Sequence, residues 1–242
     1  MTLEACLADL AHADPERRLQ AAQALAERCL AEPAPPFEAV LARLKAQVAF
    51  GPEREPEPAV ARAISAAVQA LAVARGERLG FRIARPESLD ALPDARLTWR
   101  VIEPLWDATT IYRDRPALRA TLDLATPGQR ALYALWWWSS EVRNGGLHQF
   151  LANSTGILAP EVRDGLARVG ATEHAAIFRD LLALFPEGVC PGDRRERQEL
   201  LYEIPDAALG VLDARFYALD DDVLFRPRLS TCAAHPDEFF LD

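Results

Sequence analysis

The sequence predicts an all-α protein, with N-terminal antiparallel helices packed on a C-terminal multi-helix domain. Three observations lead there. Apolar residues recur at three- and four-residue spacing in one segment after another, as the buried stripe of an amphipathic helix requires. Start and stop signals bracket those stripes: Asp14-Pro15 and Thr126-Pro127 at starts, Gly170 and Pro186 at ends. Half of the 242 residues are apolar, enough for a real core in one large or two modest domains.

Residues 1–78 read as an alanine-rich helical region. Asp14 is placed to cap a helix, with Pro15 at its first position and Arg17 at its third. Leu19, Ala22, Leu25, Ala26 and Cys29 then mark one face, and the Pro33–Pro36 cluster ends the helix. Phe37, Val40, Leu41, Leu44 and Val48 begin a second helix, broken between Gly51 and Pro58. Val60, Ile64, Ala67, Val68 and Leu71 mark a third. The wording D-P-E-x-R-x-x-A-A-x-A-L resembles a single HEAT-type helical repeat, without a second copy at a convincing period. Residues 79–93 carry loop signals and read as a linker, with a short extended piece at Phe81–Ala84.

Residues 94–242 return to helices and hold all five tryptophans. Ala95–Asp107 presents Leu97, Val101, Leu105 and Trp106, and is expected to stay helical through Pro104. A shorter helix covers Pro116–Leu124. Thr126-Pro127-Gly128-Gln129 is the clearest start in the chain, with a capping threonine, proline at N1 and glutamine at N3. Trp136, Trp137 and Trp138 follow. Three adjacent residues span about 200° of a helix, so one stripe cannot hold all three indoles. Either that helix is buried on several sides, or one indole faces a second domain or a partner, and a surplus indole at Trp137 or Trp138 would mark a homodimer interface. Asn144-Gly145-Gly146 then interrupts the helix pattern, and a run of about two turns follows. Further helices are expected at Pro160–Val169, closed by Gly170, at Thr172–Phe185 and near Asp193–Glu203. Pro205 and Gly210 argue against one helix continuing from there, and a last helix leads to H-P-D-E-F-F.

A net charge of −9 argues against a protein that binds nucleic acid directly, which would show a basic face. Residues 1–92 hold 11 basic and 13 acidic side chains, and residues 93–242 hold 16 and 23, so the acidity belongs to the second part. Cys6, Cys29, Cys190 and Cys232 lie far apart, which suits reduced thiols better than a zinc site or a disulfide framework. The N-terminus has acids where a signal peptide needs a basic start, and no apolar run approaches the roughly 18 residues that span a bilayer. A cytoplasmic protein is expected, with no membrane partner, metal or cofactor. His12, His174 and His235 form no ligand spacing, and no phosphate-binding loop, nucleophile elbow or dinucleotide fingerprint occurs.

The stretch N-G-G-L-H-Q-F-L-A-N at 144–153 resembles a bacterial all-helical domain family whose named member is a DNA mimic. The family motif runs Asn-Gly-Gly-aromatic-x-Gln-aromatic-x-x-Asn. Asn144, Gly145, Gly146, Gln149, Phe150 and Asn153 match it, and Leu147 stands where an aromatic is more usual. The L-A-R-V-G-A-T-E-H-A-A-I-F segment from Leu166 is similar to the family's helix, Gly-Ala turn and following helix. The ending R-F-Y-A-L-D-D-D-V-L-F through H-P-D-E-F-F is similar to its terminal pattern. The resemblance covers about residues 94–242. It implies an acidic, non-enzymatic protein that occupies the DNA-binding face of a basic protein, such as a transcription regulator.

Candidate contact residues are the densest acids. Asp220-Asp221-Asp222 would either cap a helix or form part of a contact surface. Glu196, Glu199 and Glu203 share a helical face, and Arg194, Arg195 and Arg197 among them suggest intrahelical pairing. At the junction, Gln149 and Asn153 sit at i and i+4. Their amides would satisfy backbone groups freed by the glycine break, or would line a ligand pocket with His148 as acid–base. The second option requires a carboxylate such as Glu141 within reach of His148. An immunity-type neutraliser of a basic toxin or nuclease is the remaining alternative.

Overall fold

The computed structural model describes residues 1–49, 54–86, 94–112, 115–219, 231–232 and 234–241. Eleven α-helices and one pair of two-residue strands are found among them. The chain divides into two compact units, Met1–Gly80 with Asp107–Thr109, and Phe81–Trp106 with Thr110–Asp242.

The first unit contains α1 (Leu3–Asp9), α2 (Pro15–Leu30), α3 (Phe37–Val48) and α4 (Pro58–Leu79). Asp14 caps α2 as expected, its Oδ1 accepting from the Glu16 N–H at 3.0 Å. α4 packs against both α2 and α3, and α1 packs on α2. Leu25 and Cys29 of α2, Leu44 of α3, and Ile64 and Leu71 of α4 are wholly enclosed. Each fully buried Leu or Ile contributes about 2 kcal/mol. α4 corrects one expectation: it is long and apolar enough, by length and composition, to cross a membrane. Its apolar face is nevertheless core here, through Val60, Ile64, Ala67, Val68 and Leu71. Outside the core, Arg18 of α2 holds Glu55 at 2.8 and 2.9 Å through Nε and Nη2. Lys45 reaches Asp107 at 2.8 Å.

The second unit is built on one long broken helix. Its elements are β1 (Ile83–Ala84), α5 (Asp94–Ala108), α6 (Arg115–Asp123), α7 (Pro127–Ala152), a 3-10 turn (Ser154–Leu158), α8 (Ala159–Val169), α9 (Thr172–Leu182), α10 (Arg194–Tyr202), α11 (Asp206–Tyr217) and β2 (Phe240–Leu241). Residues 107–109, at the end of α5, belong to the first unit. The capping box at Thr126 is formed: Thr126 Oγ1 accepts from the Gln129 N–H, and Gln129 Oε1 accepts from the Thr126 N–H. α8 approaches α7 closely because Gly165 lies against Ala131; a Cβ at Gly165 would sit 3.2 Å from the Ala131 backbone. Gly170 ends α8 in the left-handed conformation, φ 69°.

The tryptophan run is accommodated by burial on several sides. Trp138 is fully enclosed, edge-on to Phe216 at 5.2 Å, His174 at 5.5 Å and Phe178 at 5.7 Å. Trp136 meets Trp99, and Trp137 stacks on Trp106 at 4.4 Å and 13°. Trp138 therefore cannot be the indole of a homodimer interface.

No single helix continues past Pro205, as expected: α10 ends at Tyr202 and α11 begins at Asp206. The break falls at Pro205 alone, since Gly210 lies inside α11, where a Cβ would meet nothing within 4 Å and a helical glycine costs only about 1 kcal/mol. One other expectation differs. α9 stops at Leu182, three residues earlier than expected. The H-P-D-E-F-F tail supplies a strand: β2 pairs in parallel with β1, Ile83 opposite Phe240. That pairing is non-local, so neither partner's local sequence announces it. Beside it, Glu238 accepts from the Gly128 N–H and from Arg168, and its carbonyl accepts from Thr126 Oγ1 at 2.9 Å.

Candidate functional site

α7 is one helix to Asn144 and another from Leu147. Gly145 (φ −160°, ψ 28°) and Gly146 (φ 77°, ψ 179°) leave the helical region between them. Gly146 occupies a conformation essentially restricted to glycine. A Cβ there would also lie 2.8 Å from Asp213 Oδ2. At Gly145 the constraint is a side chain: a Cβ would fall 2.0 Å from Gln149 Oε1 and displace that amide.

The break is held by Glu141, one turn upstream. Its Oε2 accepts from Gln149 Nε2 at 2.6 Å and Asn153 Nδ2 at 3.0 Å, and its Oε1 accepts from Thr155 Oγ1 at 3.2 Å. Thr155 is fully buried. The two amides thus bind a carboxylate and not the freed backbone groups, which corrects that expectation. Their i, i+4 spacing matters because it lets both reach one acceptor. Glu141 and His148 share no hydrogen bond, so the acid–base pairing that a catalytic junction needs is not formed. His148 and Asn144 are exposed, and their side chains have no hydrogen-bond partner among the described residues.

Both ends of the short segment Leu147–Ala152 are plugged by side chains from elsewhere. At its start, Asp213 of α11 accepts from the Leu147 N–H at 2.8 Å, a carboxylate at the positive end of the helix dipole. Tyr217 of α11 donates to the Val142 carbonyl in the turn before the break. At its end, Arg197 of α10 donates from Nε to Leu151 O at 2.6 Å and from Nη2 to Asn153 O at 2.8 Å. The same guanidinium reaches the carbonyls of Pro191 and Gly192 at 2.8 and 3.2 Å. Arg194 Nε and Gln198 Nε2 both donate to Ala152 O. Arg197 is completely buried without a carboxylate partner among the described residues, and burial lowers its pKa. Gly156 makes room for it; a Cβ there would lie 2.4 Å from Arg197 Nε.

The acidic candidates are dispersed differently from expectation. Asp220, Asp221 and Asp222 lie outside the described residues. Glu196 and Glu199 stand on α10 and Glu203 just past its end, all exposed. Only Arg195 pairs within the helix, with Glu199 at 3.0 Å. Arg194 and Arg197 have turned to backbone carbonyls, so intrahelical pairing is not the rule expected. Glu196, Glu203 and Asp206, the first residue of α11, consequently have no ion-pair partner among the described residues.

All four cysteines are free and buried. Desolvation pushes the Cys190 thiol up to about 11 and the Cys232 thiol to about 12, which leaves neither suited to act as a nucleophile. No group of three or more His, Cys, Asp or Glu side chains fit to hold a metal occurs among the described residues.

The broken α7, the turn at Gly170 and the helices that brace them together form the stretch on which the chain can be compared with known proteins. Residues 123–233 match the DMP19-like protein family. The matched stretch begins at the end of α6 and takes in α7 to α11, with the Asn-Gly-Gly break near its start. It is shorter at both ends than the 94–242 expected from sequence, and leaves out α1 to α5 and the β2 tail. The DMP19-like stretch carries 16 acidic and 11 basic residues. No curated protein and no solved structure matches the chain.

Sequence reasoning missed Arg197, Asp213 and Tyr217, which do most to fix the junction. Arg197 left one signal. It precedes Leu201 by four positions, which puts it on the apolar face of α10 and not among the exposed acids.

Proposed function

We propose that this chain is a non-enzymatic protein-interaction module whose acidic C-terminal part takes the place of DNA on the basic surface of a DNA-binding protein. The match of residues 123–233 to the DMP19-like family, the family of the DNA mimic, carries the reading. Charge supports it. The matched stretch holds an excess of five acids, and Glu196, Glu203 and Asp206 are exposed and unpaired among the described residues. Duplex DNA presents about one negative charge per 1.7 Å of axis, so a mimic must leave carboxylates unneutralised along one surface. The use of Arg194 and Arg197 as carbonyl donors, at a point where they would otherwise cancel acids, suits that requirement.

The junction serves this role as scaffold. Glu141, Asp213 and Arg197 fix the angle between the halves of α7 and seat α10 and α11, which carry the free acids. The test is affinity capture from the native cell lysate, eluted stepwise with salt and identified by mass spectrometry. One basic DNA-binding protein should be recovered, released by salt and displaced by duplex DNA. A joint Glu196→Lys, Glu203→Lys and Asp206→Lys variant should lose it, as should reversal of Asp220–Asp222. Capture that resists salt, or that duplex DNA leaves untouched, would remove mimicry as the mechanism.

A further inference from the structure

Beside the C-terminal plug of α7 lies a cavity of about 500 Å³, within the range that encloses small organic ligands. It is lined from three directions within the second unit: Ile111 and Tyr112 with the start of α6, the 3-10 turn after α7, and the start of α10. Its chemistry differs from the acidic surface around it. Arg115, Arg194 and Arg197 all line it.

The three arginines are not equally committed. Arg197 gives its donors to backbone carbonyls and contributes charge without a contact of its own. Arg115 donates to Ile157 O and to Glu161 Oε1 at 3.3 Å, so its charge is partly balanced. Arg194 uses Nε alone, leaving both Nη nitrogens without a partner among the described residues. Asp193 is the one carboxylate in the lining among the described residues, and its Oδ1 is engaged as the cap of α10 by the Glu196 N–H at 2.9 Å. The Ser154 hydroxyl, also in the lining, makes no hydrogen bond among the described residues. Ile111, Pro116 and Ile157 supply an apolar wall. Tyr112 stands at the lip with 82% of its surface exposed.

We propose that this cavity binds a small organic anion, with one carboxylate or phosphoryl group carried on an apolar body. Arg194 Nη1 and Nη2 form the forked contact to two oxygens that a guanidinium makes best. Ser154 donates to a third position, and the buried charge of Arg197 holds the anion from behind. The apolar body lies on Ile111, Pro116 and Ile157, with the Tyr112 ring available to cover it. Binding here is independent of DNA mimicry and would stand if no protein partner were found. It does give such a module an input: the ligand would brace α10, whose outer face bears Glu196.

The test uses the full chain and ligand-observed NMR titration with phenyl phosphate, benzoate, inorganic phosphate and neutral benzyl alcohol. At least one aromatic anion should bind saturably, at least tenfold more tightly than inorganic phosphate or benzyl alcohol, and more weakly as salt is raised. Which of the two binds assigns the phosphoryl or the carboxylate. Arg194→Gln keeps a donor for Ala152 O and should weaken that binding at least tenfold with an unchanged melting temperature. Ser154→Ala should weaken it by a smaller factor. No saturation by either aromatic anion, equal binding of benzyl alcohol, or undiminished binding in the Arg194→Gln variant would overturn the proposal.

Discussion

α4 and α7 are the two longest helices among the described residues, and they are stabilised in opposite ways. α4 is continuous over 22 residues and is held mainly by an apolar face, through Val60, Ile64, Ala67, Val68 and Leu71. α7 spans 26 residues, breaks at Gly145–Gly146, and is held at the break by charged and amide side chains from α7 itself, α10 and α11. A continuous amphipathic helix tolerates substitution wherever volume and polarity are kept. A broken helix exposes backbone donors and acceptors at new ends, and each must find a partner or cost free energy. The molecule therefore concentrates its sensitivity near residues 141–156 and spreads it thinly along α4.

Substitutions can break this contrast, from the largest expected effect to the smallest. Arg197→Met should destabilise the second unit by about 4 kcal/mol, because it strands a group of buried carbonyls. Urea unfolding followed by tryptophan fluorescence reads this, and Arg197→Lys should recover less than half, lacking the planar fork. Gly146→Ala should cost about 3 kcal/mol, from the forbidden backbone region and the collision with Asp213. A change below about 0.5 kcal/mol, the size of a neutral surface substitution, would mean the break is not specified by backbone geometry.

Glu141→Gln should cost about 2 kcal/mol, since it sets one amide donor against others where an acceptor is required. The first unit should show its polar sensitivity at Glu55. The hydrogen bonds from Arg18 hold this carboxyl below its ordinary range. A depressed folded-state pKa gives stability that is complete above the unfolded value and is lost as pH falls through the folded one. Glu55→Gln should therefore cost about 1 kcal/mol at neutral pH and progressively less on acidification below the normal carboxylate range. A pH-independent difference would exclude the charged pair as its source. Smallest of all, Ser65→Ala on the exposed face of α4 should stay within about 0.5 kcal/mol in thermal melts. It removes only a back-bond to the Ala61 carbonyl.

What is legible in the sequence follows the same division. α2 and the start of α7 can be read because stripe, cap and proline agree with one another locally, as at Asp14-Pro15 and Thr126-Pro127, and α4 from its apolar stripe. The break itself is legible as Asn-Gly-Gly, and so is the shared face of Gln149 and Asn153. Their acceptor is not. Glu141, Asp213, Tyr217 and Arg197 act across 8 to 75 positions of chain, and their local surroundings resemble ordinary helix surface. The arginines of α10 show the limit most plainly. Spacing alone gives an R-R-E-R run pairs with nearby glutamates, whereas the geometry of the neighbouring helix end draws two of them to carbonyls.

The tail around Glu238 has a consequence in time. It closes loops of 110 residues onto the N-terminus of α7, and it provides β1 with its only described strand partner. Closing a loop of that length costs more entropy than joining neighbouring helices, so α8 and α9 can dock on α7 well before this clasp forms. The first turn of α7 should thus be the last part of its helix to become protected from hydrogen exchange during refolding. The order of assembly is written into where Glu238 sits along the chain.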